Sequence, residues 1–116
     1  MASDFEMFAG DTREIVFTVK DQDGIAVNLT SAVVLWKMAQ SSWKIDLDAV
    51  VVVSKTSGAG QITLGNGTFT VHLMSPDTVD LEGSYYHEAQ ITLADGTIGT
   101  PVTGKIKVKP NLIEPR

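Results

Sequence analysis

Between Arg13 and Lys20 the chain alternates with a period of two: Ile15, Phe17 and Val19 fall on one side, Glu14, Val16 and Thr18 on the other. The same period returns at Val34, Trp36 and Met38, with Lys37 facing the opposite way. A period of two is that of a β-strand with one face out of water, and it is incompatible with the 3.6-residue period of an amphipathic helix. The polar segment between these two runs contains Asp21–Gln22–Asp23–Gly24, a turn in which Gly24 is placed to take positive φ. The stretch from Gly10 to Trp36 therefore predicts two strands and their connection, and the rest of the chain has to cover the surface they create.

Further strands are predicted at Asp4–Phe8, Ala32–Ala39, Gln61–Leu64, Thr68–Met74, Ser84–Leu93 and Gly99–Lys109, with a short irregular one at Ile25–Leu29. Gly65–Asn66–Gly67 and Asp95–Gly96 are hairpin turns by their composition. Ser75–Thr78 reads as a turn or one helical turn, with Ser75 as cap and Pro76 in the first position. Trp43, Ile45 and Leu47 alternate with Lys44, Asp46 and Asp48, suggesting a strand with a short helix as the competing reading. The β-branched run Val50–Val53 disfavours helix. Because it is apolar on both faces, Val50, Val51, Val52 and Val53, with Trp43, are the candidate interface residues.

Seven or eight short strands, regular turn signals and no long helix predict an all-β, immunoglobulin-like antiparallel sandwich of two sheets, with a barrel as the second choice. The chain is expected to form one domain over residues 1–110, followed by a tail over 111–116. Asp80–Leu81–Glu82–Gly83–Ser84–Tyr85 has the form of a tyrosine corner, in which the phenol bonds back to the crossing backbone. Lys105, Lys107 and Lys109 share one face of the last strand and suggest a protected sheet edge.

The chemistry-bearing residues are few. With no cysteine, disulfides, thiolate zinc sites and thiol catalysis are excluded. The formal net charge of −5 disfavours a nucleic-acid backbone as partner. No apolar run approaches the roughly 20 residues a membrane span needs, and the first residues lack the pattern of an export signal. His72 is expected to face outward, and His87 inward beside the tyrosine corner. Catalysis by His87 would need an open pocket with acidic or hydroxyl partners. Asp21 and Asp23 open like a calcium loop but lack its later ligands, and Asp46 with Asp48 would make at most a weak cation site. The reading is of a non-enzyme with no cofactor and no metal. Trp43 and Tyr86 are candidate surface aromatics for stacking a sugar, which makes a carbohydrate-binding or adhesion module the alternative function.

Taken together, Gly10–Asp11–Thr12, Phe17–x–Val19–x–Asp21, Gly24, Leu29–Thr30–x–Ala32 and Trp36 resemble the start of small phage tail and baseplate proteins. The hairpin at Tyr85…Gln90–Ile91–Thr92 with Asp95–Gly96, and the last strand at Gly104–x–Ile106–x–Val108, are similar to that family as well. The resemblance spans about residues 10–109 and includes the immunoglobulin-like N-terminal domain of baseplate upper proteins. It implies a phage or prophage virion structural protein of the tail, baseplate or fibre region, assembled in the host cytoplasm. Its partners would then be other virion proteins and further copies of itself.

Overall fold

In a computed structural model the chain is described over residues 4–40 and 51–110. Eight strands run in chain order among these residues: β1 (Phe5–Phe8), β2 (Arg13–Thr18), β3 (Val33–Gln40), β4 (Val51–Thr56), β5 (Ile62–Leu64), β6 (Thr68–Leu73), β7 (Gly83–Thr92) and β8 (Ile98–Lys109). A 3-10 turn at Ser57–Ala59 follows β4, and one helical turn, α1 (Ser75–Thr78), joins β6 to β7. The strands form a five-stranded sheet in the order β1-β8-β7-β3-β4 and a three-stranded sheet in the order β2-β6-β5. This is the expected immunoglobulin-like sandwich.

Alternation puts the two inner faces together. Ile15 and Phe17 of β2 and Phe69, Val71 and Leu73 of β6 meet Val34, Trp36 and Met38 of β3, Ala89 and Ile91 of β7, and Val102, Ile106 and Val108 of β8. Trp36, Phe69 and Met38 are fully buried. Burying one such side chain stabilises the fold by roughly 1.5–3 kcal/mol, so this set supplies the main driving force. Tyr85 closes the tyrosine corner: its hydroxyl donates to the carbonyl of Glu82 and accepts from the Glu82 amide, both at 3.2 Å.

Three details depart from the sequence reading. The lysine-bearing strand is not an edge: β1 pairs with β8 in parallel, and β7 holds its other side. Lys109 faces Glu6 of β1 instead, bonding it at 2.7 Å, while the Lys105 amide donates to Asp4, just before β1, at 2.9 Å. The Lys109 hydrogen bond and charge hold the Glu6 carboxyl below its usual range. Ile25–Leu29 is not a strand; it meets its neighbours only through the isolated bridges Lys20↔Ala26 and Asn28↔Asn66. At α1, Met74 rather than Ser75 occupies the cap position, and its amide donates to the Asp77 carboxylate at 2.7 Å.

Candidate binding cleft

Past the last pair of β2 with β6, the chain does not stop following β6. The Val19 amide donates to Gly67 O at 2.8 Å, Val27 N to Val19 O at 3.1 Å, and Gly67 N to Val27 O at 2.8 Å. Gly67 makes this possible: it sits at φ +84°, and a Cβ there would lie 2.7 Å from the Ala26 Cβ. Residues 20–26 therefore form a narrow tip beyond the sheet. Asp21 stabilises it, its Oδ1 accepting from the amides of Asp23 (2.9 Å) and Ile25 (3.0 Å). The calcium-loop resemblance resolves into this Asx turn. Among the described residues no group of three or more His, Cys, Asp or Glu could hold a metal ion.

The β7–β8 hairpin makes a second tip at the same end. Leu93 N donates to Thr97 O at 2.8 Å, and the Thr97 amide donates to Asp95 Oδ1 at 2.8 Å. That bond from Thr97 holds the Asp95 carboxyl below its ordinary range. Between the two tips lies a cleft of about 260 Å³ lined by Val19, Val27, Leu29, Ile91, Leu93, Thr97 and Gly99. Among the described residues, Thr97 brings the only polar side chain to this lining. Ile25 is 63% exposed on the first tip, and Ile98 62% at the base of the second. Val33, also more than half exposed, continues this apolar end through the cross-strand row Val33–Thr92–Ile98.

The residues singled out in the sequence lie elsewhere. Val51–Val53 form the start of β4, the last strand of its sheet among the described residues; Val53 is buried opposite Met38, and Val51 and Val52 are half-buried. Val50 and Trp43 lie outside the described residues, as do Asp46 and Asp48. Tyr86 is half-buried, and burial, followed by the charge of Glu88, pushes its phenol up. A two-ring sugar platform with Trp43 thus has one described member.

His87 is fully buried, with the rings of Phe5, Phe17 and Trp36 centred 5.5–5.8 Å from its own. Trp36 Nε1 donates to its Nδ1 at 3.1 Å. An indole N–H is a donor only, so Nδ1 is the acceptor and His87 is a neutral core histidine, closed to any substrate. His72 faces outward from β6, as expected, in a row across the three-stranded sheet: its Nδ1 is 3.3 Å from Glu14 Oε1 and its Nε2 2.7 Å from Thr63 Oγ1.

No family model matches the chain, and no curated protein matches it. Among solved structures it is similar to the crystal structure of CopC from Methylosinus trichosporium OB3b, with a TM-score of 0.54 at 15% identity over 97% of this chain and 90% of that one. At that identity the likeness establishes a shared fold. It also overturns the resemblance to phage tail and baseplate proteins: the structure matched along nearly the whole chain is not a virion component, and no sequence family supports that origin. The residues that carried the resemblance explain the error. Gly10, Gly24 and Gly96 take positive φ, and Phe17, Val19, Leu29, Ala32, Trp36, Tyr85, Ile106 and Val108 are core. All of them make a sandwich, and none of them makes a tail.

Proposed function

We propose that this chain is a non-catalytic binding domain that takes a small apolar group in the cleft between its two hairpin tips. The observation that carries the reading is the lining: apolar side chains from both sheets' margins surround about 260 Å³ open to solvent. Exposed Ile25, Ile98 and Val33 stand at the same end. A cavity of about 150 Å³ lined by apolar side chains is enough for benzene, and drug-sized sites begin near 300 Å³. The occupant is therefore a ring, a short alkyl chain or an apolar side chain of a partner. Exposed apolar surface of this kind marks interaction sites rather than ordinary monomer surface. With a net charge of −5, the reading includes neither a nucleic acid nor an anionic membrane as partner.

Indole titrated into the methyl-labelled full chain tests the reading. Saturable shifts confined to Val19, Val27, Leu29, Ile91 and Leu93 are expected, and Leu93→Lys should abolish them. Shifts that do not saturate, or that spread over the core, would refute it.

A further inference from the structure

We infer that the occupant of the cleft is the segment Leu112–Arg116 of a second copy of this chain, joined head to tail; this rests on the reading of the cleft as a binding site. The segment leaves the domain at the wrong end to serve its own cleft. Gly99 lines the cleft, whereas Lys109 ends the same strand beside Gly83 and β1, at the far end of the sandwich. Ten residue steps of strand separate them, about 33 Å at 3.3 Å each. Residues 110–116 span at most about 25 Å when fully extended. A neighbouring copy is within reach where the chain's own cleft is not.

Chemistry matches at two points. Leu112–Ile113 is an adjacent apolar pair, and in an extended segment its two side chains point opposite ways. One enters the cleft between Leu29 and Leu93, and the other stays outside it. Glu114 and Arg116 follow with opposite charges, and the hairpin tips carry both signs: Lys20, Asp21 and Asp23 on the first, Asp95 on the second. Extended pairing of this kind buries far less than a stable interface of roughly 1,200–2,000 Å², so association is weak and rises with concentration. A patch at one end meeting a segment at the other is heterologous, and it produces rings or open chains instead of closed dimers.

Sedimentation equilibrium on the full chain provides the test, with two variants: Leu112→Asp/Ile113→Asp, which blocks the segment, and Leu93→Lys, which blocks the cleft. The wild type is expected to climb past the mass of a dimer with rising concentration, because a head-to-tail contact does not close on two copies. Each variant alone should stay monomeric, and an equimolar mixture should associate and stop at the dimer. Excess indole should dissociate the wild type, a measurement that holds even where Leu93→Lys does not fold. A wild type that stays monomeric while binding indole, or association that survives Leu112→Asp/Ile113→Asp, overturns the inference and leaves the cleft as a site for another apolar ligand. Absence of indole binding overturns both.

Discussion

Lys55 and Asp77 give the sharpest test of how the two sheets are held together. Lys55 lies on the inward face of β4, opposite Trp36, and is 6% exposed. Its Nζ reaches Asp77 Oδ2 in α1 at 2.7 Å, with the two side chains 8% and 23% exposed. The same carboxylate oxygen accepts the Met74 amide. Removing one partner of a fully buried pair costs about 3–5 kcal/mol, because a charge is left behind without compensation, whereas an exposed pair contributes about 0–1. The two ends of this bridge differ in that respect. Asp77→Asn keeps an oxygen for the Met74 amide but strands a buried ammonium, for an expected loss of about 2–3 kcal/mol. Lys55→Met leaves a carboxylate that still holds Met74 and has access to water, for a loss of about 1 kcal/mol. The more exposed residue is thus the more damaging one to change. In Lys55→Met/Asp77→Asn no charge remains to be stranded, so the double variant should be more stable than Asp77→Asn alone, with a coupling of about 1–2 kcal/mol. Urea unfolding followed by far-ultraviolet circular dichroism measures all four proteins. Equal single losses that add without coupling would refute the account.

Two further outcomes follow from backbone geometry and one turn. Gly24 and Gly67 both hold positive φ, but a Cβ at Gly24 meets open space and one at Gly67 collides with Ala26. Gly24→Ala should cost about 1–2 kcal/mol from the left-handed backbone alone, and Gly67→Ala clearly more in the same urea assay; equal losses would show that the tip yields freely. For Asp95, the bond from Thr97 favours the charged form, so its contribution is present above the unfolded value and disappears as pH falls through the lowered folded one. The carboxyl carbon of Asp95, followed by NMR, should titrate below the ordinary value of an aspartate; a midpoint at or above that value contradicts the turn geometry.

Most of the fold could be read from the sequence because strands with one dry face are written residue by residue. Ile15, Phe17 and Val19 alternate for the same reason that they end up in the core. Gly83–Tyr85 and Gly96 likewise act within a few residues of themselves. The environment of Lys105–Lys109 was illegible for the converse reason. An outward lysine row looks the same on an edge as beside a short acidic strand, and β1 pairs with β8 from about a hundred residues away. Lys55 follows a valine run, and only the topology places it opposite Trp36 with Asp77 within reach.

The cleft was hidden by the same rule. Leu29, Ile91 and Leu93 each read as core, and in isolation each is an ordinary inward position of a sandwich. What leaves space between them is the way residues 19–29 follow β6 rather than crossing toward β7, held by Gly67 and the bonds it makes to Val19 and Val27. With the connection tied to one sheet and the β7–β8 hairpin extending from the other, no element plugs the gap between the two margins among the described residues. The one sequence signal for this is negative in form: Ile25 and Ile98 sit on or beside turns, where apolar residues gain nothing from burial in their own fold. An exposed isoleucine at each of two neighbouring tips is informative in a way that the valine run of β4 is not, because Val53 already has Met38 to pack against. Apolar side chains left without an internal partner at one end are where this sandwich has surface to offer to something else.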